Sequence, residues 1–234
     1  MRPLALLAAL AAPAQAAACL TDAMVVFDGS ASMAEISMEV TVPRIVEARA
    51  AMGRVMPQVE DVRRVGLMTY GPGGASACEG IVLAFPPRAG AAVPMAAALD
   101  ALEPAGLTPL ADAVAAAAAL LDYRAVPATI VLVTDGNETC GGRPCALGTR
   151  LAAEAADLTI HVVGYRASRD FFAWDNPDQQ AYAGDTVAKC LSDRTGGLFV
   201  GAETEDALVA ALQATLGCPL TGALPHPPEA PWRS

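Results

Sequence analysis

The chain has 234 residues, is 54% hydrophobic but only 5% aromatic, and carries a formal net charge of −10 with a pI near 4.6. So acidic a composition argues against a nucleic-acid or anionic-membrane surface, because both demand clustered Lys and Arg. Less a dispensable segment at each end, the length suits one well-buried domain with a core of Ala, Val and Leu.

Residues 1–18 begin with a lone positive charge, Arg2, and continue as an unbroken apolar run from Leu4 to Ala12. That run is too short to span a bilayer. Ala14-Gln15-Ala16 and Ala16-Ala17-Ala18 both offer small-residue cleavage sites, so the pattern predicts a secretory signal peptide and an exported protein, periplasmic or extracellular. A buried N-terminal helix is the other reading. Cys19 directly after three alanines raises a lipoprotein reading as well, although Ala16 stands where a branched apolar residue is usual. No transmembrane span is expected.

Export gives meaning to six cysteines, an even set for an oxidising compartment. Cys140 and Cys145 flank a Gly/Pro-rich loop, where a local Cys140–Cys145 bridge is expected. A Cys19–Cys218 bridge would tie the termini together and close a long loop. Cys78–Cys190 then follows by elimination. A metal reading of the lone CxxxxC is poor, because no second cysteine or histidine pair accompanies it.

The first strand of the domain is the apolar run ending Val25-Val26-Phe27-Asp28, followed by Gly29-Ser30-Ala31-Ser32. The spacing predicts a helix from about Pro43 to Met56, with proline in the first turn. Strands are expected at 64–70 and 79–85, separated by the turn Gly71-Pro72-Gly73-Gly74 and paired as a hairpin, so that the second is antiparallel. Two Ala-rich helices follow, near 90–102 and 109–123, with Thr108 just before Pro109 in the position of an N-cap. Thr129 to Thr134 is continuously apolar and β-branched, as in a parallel sheet covered on both faces, and ends at Asp135-Gly136. A helix at 146–156, a strand at 158–164, a helix near 185–194, a strand at 198–201 and a helix at 204–217 complete the domain. The connection 165–183 is long and carries Phe171, Phe172, Trp174 and Tyr182, either as a partner surface or packed onto the domain. Residues 219–234 are Pro-rich and read as a disordered tail or linker.

Strands alternating with helices predict an α/β fold with a doubly wound, mostly parallel six-stranded sheet, one antiparallel strand and helices on both faces. Such sheets bind ligands beyond the carboxyl ends of their strands. Asp28, Ser30, Ser32, Thr108 and Asp135 all fall in loops at that edge. They offer carboxylate and hydroxyl oxygens, the hard donors that Mg²⁺ prefers. Taken alone, Asp28-x-Ser30-x-Ser32 is also consistent with an ordinary turn.

In combination these motifs resemble the von Willebrand factor type A domain. Asp28-x-Ser30-x-Ser32, the Thr108 loop and Thr134-Asp135-Gly136 match the three segments of that family's metal-ion-dependent adhesion site, and the resemblance covers about residues 20–217 of a domain bounded at 19–218. It implies a strand order three-two-one-four-five-six, with the strand of Asp28 central. It implies a bound Mg²⁺ or Mn²⁺, held directly by Ser30, Ser32 and Thr108, the last through water in another state, and directly or through water by Asp28 and Asp135. An acidic side chain of a protein partner would complete the coordination. Ala31 stands where relatives commonly carry glycine. Glu138 reads either as a carboxylate supporting Asp135 or as a solvated loop charge.

The expected role is non-catalytic binding. A hydrolase built on Ser30 or Ser32 would need a base and a residue to orient it. The two histidines are badly placed for this, His161 inside a buried strand and His226 in the tail. A phosphatase using Asp28 would want a second acid where Ser30 stands. A structural domain with a vestigial site is the remaining alternative.

Overall fold

The computed structural model describes residues 21–36, 41–73, 76–136, 138–166 and 187–217. The expected signal peptide, Cys19–Cys218, the connection beyond residue 166, His226 and the tail lie outside the described residues. Six strands form one sheet: β1 (Ala23–Asp28), β2 (Val65–Tyr70), β3 (Val82–Arg88), β4 (Ala128–Thr134), β5 (Leu158–Tyr165) and β6 (Phe199–Ala202). Their order is β3-β2-β1-β4-β5-β6, as the resemblance implied. All neighbours are parallel except β2 and β3, which are antiparallel.

The two faces of the sheet bury two separate cores, and strict alternation along each strand sorts residues between them. Ala23, Val25 and Phe27 of β1 and Val131 and Val133 of β4 face one core, with helices α1 (Arg44–Val59), α2 (Ala92–Asp100) and α6 (Glu205–Leu216). Met24, Val26, Ile130 and Leu132 face the other, with α3 (Leu110–Leu120), α4 (Pro144–Glu154) and α5 (Lys189–Thr195). Every residue of β1 and β4 is buried, which explains why both read as unbroken apolar runs.

The third strand begins three residues later than expected. Residues 79–81 are used in a loop where Gly80 lies against Gly71, so closely that a Cβ on Gly80 would sit 2.5 Å from the Gly71 carbonyl oxygen. The displaced strand includes Pro86 and Pro87, which its edge position tolerates. After Ser30 the chain forms a 3-10 turn, Ala31–Ala34, that buries Met33. Ala31 is not among the residues with positive φ, so glycine is not required there.

The cysteine pairing differs from the expected one. Cys140 is bonded to Cys78 and Cys145 to Cys190, with Cα separations of 5.7 and 4.9 Å. Neither Cys140–Cys145 nor Cys78–Cys190 forms. Cys145 lies in the first turn of α4, and α4 packs against α5, which carries Cys190. Cys140 lies instead beside the 76–80 loop, whose Ala77 carbonyl also accepts from Leu107 N. The two bridges thus tie the 140–145 loop outward to two neighbours.

Candidate metal centre

The centre starts from strand register. Asp28 pairs with Tyr70 across β1 and β2, and Phe27 pairs with Val133 across β1 and β4. Thr134, one residue on, therefore stands level with Asp28. Tyr70, Asp28 and Thr134 form a row at the carboxyl end of the sheet, all three buried. Asp28 Oδ2 accepts from Tyr70 Oη at 2.9 Å and from Thr134 Oγ1 at 2.7 Å, while Oδ1 accepts from Ser30 N at 2.8 Å. Asp28 is held by three donors and cannot swing. Burial and the Asp28 charge push the Tyr70 hydroxyl far up, so it remains a neutral donor.

Ser30 and Ser32 continue outward from this row. Their hydroxyl oxygens are 3.0 Å apart, and Ser32 Oγ donates to Asp135 Oδ1 at 2.8 Å. Four of the five expected ligands therefore form one connected group. It runs from the buried Asp28 to Ser32, which is partly open to solvent.

The fifth, Thr108, is brought alongside by backbone. Ala31 N donates to the Gly106 carbonyl at 3.2 Å and Ala105 N to the Gly29 carbonyl at 2.9 Å. Two glycines permit this approach. Gly71 and Gly106 both have positive φ, and a Cβ on Gly106 would lie 2.1 Å from the Gly71 carbonyl oxygen. On its other side, Thr108 N donates to Thr139 Oγ1 and Thr139 N donates back to the Thr108 carbonyl. Thr108 is only 5% exposed.

Sequence reasoning missed two charged roles. Arg44, the first residue of α1, donates through Nη1 to Asp135 Oδ2 at 2.9 Å, to the Ser32 carbonyl at 3.1 Å and to Glu35 Oε2 at 3.0 Å. Nothing in its local sequence marks it, since it reads as a helix-surface cation. Glu138 is neither a solvated loop charge nor a support for Asp135. It is buried, with Oε2 accepting from Ala111 N in the first turn of α3 and Oε1 from Cys140 N, both at 2.8 Å. It caps α3 from a separate loop, at the end where the helix dipole favours a carboxylate.

The electrostatics of the centre are short of positive charge. Of the two buried carboxylates, Asp135 pairs with the Arg44 guanidinium, whereas Asp28 accepts only from neutral donors. Burial, and next the Asp28 charge, push Asp135 up to about 6 despite opposing contributions from Ser32 and Arg44. Among the described residues no group of three or more His, Cys, Asp or Glu could hold a metal ion. A cation here therefore depends on the hydroxyls as well as the two acids. Hard oxygen donors with excess negative charge fit a hard divalent cation.

The sequence model of the von Willebrand factor type A domain matches residues 23–138, the segment that carries all five residues. The chain contains a von Willebrand factor type A domain. A Bacillus subtilis (strain 168) protein called "Uncharacterized protein YwmD" is 31% identical over 112 residues, which are 46% of this chain and 43% of that protein. The match thus spans less than half of that relative. Among solved structures, BatB from Bacteroides thetaiotaomicron is similar with a TM-score of 0.57 at 15% identity, covering 82% of this chain and 97% of that one. The pilus adhesin SpaC from Lactobacillus rhamnosus GG, in an open conformation, gives a TM-score of 0.62 at 14% identity over 84% of this chain and 29% of that one. At these identities the solved structures share the fold.

Proposed function

We propose that this von Willebrand factor type A domain is an exported, non-catalytic binding module. It takes up Mg²⁺ or Mn²⁺ and, through the cation, the carboxylate of an acidic side chain on a protein partner. The observation that carries this reading is the connected group Ser30–Ser32–Asp135 beside an immobilised Asp28. Ser30, Ser32 and Thr108 are the candidate direct ligands. Asp28 and Asp135 supply charge, directly or through water. When bound, such a cation acts as an electrophile for an incoming carboxylate. The chain's own groups orient the hydroxyls and exclude water on the sheet side.

A hydrolytic role has less support. Both serines hydrogen-bond each other, and Ser32 also donates to an acid rather than to a base. His161 accepts from Leu198 N through Nδ1, where it connects β5 to the entry of β6. Export is supported by the signal-like residues 1–18 and by two disulfides, which persist in oxidising compartments. Among the described residues no helix is long and apolar enough to cross a membrane. SpaC is a pilus adhesin, and adhesion enters here as a proposal for this chain.

One observation favours a second reading, a structural domain that takes no cation: Arg44 already occupies Asp135 Oδ2. Thermal unfolding of chelator-stripped protein with added Mg²⁺ or Mn²⁺ separates the two. A ligand that binds only the folded state raises the midpoint. The binding module predicts a rise that Asp28→Ala abolishes, whereas an unchanged wild-type midpoint at millimolar cation decides for the structural domain. A pull-down with and without chelator then tests for the acidic partner.

A further inference from the structure

We propose that Arg44 is a tethered counterion of the cation site, holding Asp135 when no divalent ion is present and lowering the affinity for one that enters. This rests on the cation reading above.

Arg44 is badly placed for a helix residue. It opens α1 directly after Pro43, where the dipole's positive end disfavours a cation. The acid in the same turn, Glu47, is the residue that suits that end. Arg44 is nevertheless only 11% exposed, and its Nε is buried without a hydrogen-bond partner among the described residues. Helix stability therefore leaves its position unexplained. The contact that explains it is Asp135, whose side chain is fully buried and which needs positive charge.

The contacts also divide Asp135 cleanly. Oδ1 takes the Ser32 hydroxyl and Oδ2 takes Arg44. Ser32 itself is shared, its hydroxyl facing Asp135 and its carbonyl accepting from Arg44. Arg44 thus touches two of the candidate ligand residues from the helix side.

The charges then set the sign. Asp28 and Asp135 contribute −2 and Arg44 +1, so the buried part of the cation-free site carries −1; Glu35, which also pairs with Arg44, is 65% exposed and its charge is screened by solvent. A divalent cation brings it to +1, a charge matched to a single carboxylate on a partner. With glutamine at position 44 the site runs from −2 to 0. The cation is then bound more tightly, and its attraction for a carboxylate is weaker. A unit charge in contact with two of a divalent ion's candidate ligand residues is worth at least a tenfold change in affinity at the dielectric of such sites.

The test is calorimetric titration of chelator-stripped full chain with MnCl₂ and MgCl₂, for wild type, Arg44→Gln and Arg54→Gln. Arg54 also lies on α1 but pairs with Glu205 and Asp206 of α6, away from the site. Arg44→Gln is expected to bind the cation about tenfold more tightly than wild type. Its cation-free melting midpoint should fall, and its cation-induced rise should exceed that of wild type. Arg54→Gln should titrate like wild type. Binding by Arg44→Gln equal to or weaker than a wild type that does bind overturns the proposal and leaves the cation reading standing. Equal tightening in Arg54→Gln overturns it too, since the effect would then be one of overall charge. Absence of binding in both wild type and Arg44→Gln overturns the cation reading itself, and this inference with it. If Arg44→Gln does not fold, Arg44→Met serves instead. It also removes the charge but keeps an apolar stem to fill the space, so tighter binding than wild type supports the proposal and unchanged or weaker binding overturns it.

Discussion

Tyr70 donates its buried hydroxyl to Asp28 Oδ2 at 2.9 Å from the neighbouring strand, and strand register alone puts it there. Together with Thr134 and Ser30 N it fixes both oxygens of Asp28. Tyr70→Phe removes one donor from a buried carboxylate and should cost about 2 kcal/mol, as hydrogen bonds to charged groups do. Urea denaturation of the variant measures this; a midpoint unchanged from wild type would contradict the role assigned to Tyr70.

Ser32 joins Ser30 to Asp135 and is the most exposed of the candidate ligands. Ser32→Ala removes one donor from the buried Asp135 carboxylate and should cost about 1–2 kcal/mol of stability while leaving the protein folded. Its cation affinity should fall by about tenfold or more, since a lost ligand removes at least a good hydrogen bond's worth of interaction. Calorimetric titration alongside wild type reads the difference.

Glu138 caps α3 through Ala111 N. Glu138→Ala should lower stability by about 1–2 kcal/mol, the usual cost of losing a helix cap. Cation affinity should be unchanged, whereas a carboxylate supporting Asp135 would affect both. Gly142→Ala should be harmful for the same reason, since its Cβ would meet Glu138 Oε2 at 2.5 Å.

Burial pushes His161 down to about 4. The folded state therefore binds the proton less readily than the unfolded chain, whose histidine titrates near 6.5. Stability is complete above pH 6.5 and declines as pH falls toward 4, by up to about 3 kcal/mol. His161→Asn keeps an acceptor for Leu198 N and should show a shallower decline. Denaturant midpoints at pH 7.5 and 4.5 for both proteins check this, and parallel curves would remove His161 as the cause.

The disulfides make a mapping prediction. Non-reducing digestion should yield peptides joining Cys78 to Cys140 and Cys145 to Cys190. Each closes a loop of intermediate length, and removing either pair should cost about 4 kcal/mol on chain-entropy grounds. Recovery of a peptide with Cys140 joined to Cys145 would reject this pairing.

Much of this was legible locally. Apolar runs covered on both faces located β1 and β4 to within two residues at their ends, because a buried strand has no polar side to interrupt it. The candidate hydroxyl and carboxylate donors could be picked out because their oxygen chemistry is intrinsic to each residue. The start of β3 was misplaced because a contact between Gly80 and Gly71, nine residues earlier, consumes the residues that looked extended.

By itself the sequence determined the alternation of strands and helices, the strand order through its resemblance, and the five oxygen donors at one sheet edge. Periodicity and residue chemistry are local properties, and the chain states them directly. Only the tertiary structure decided which partners long-range residues take. It joined Cys140 to Cys78 and Cys145 to Cys190, aimed Arg44 at Asp135 and turned Glu138 onto α3. Each of these depends on which loops and helices pack side by side, and a charge or thiol is satisfied by whichever neighbour packing supplies.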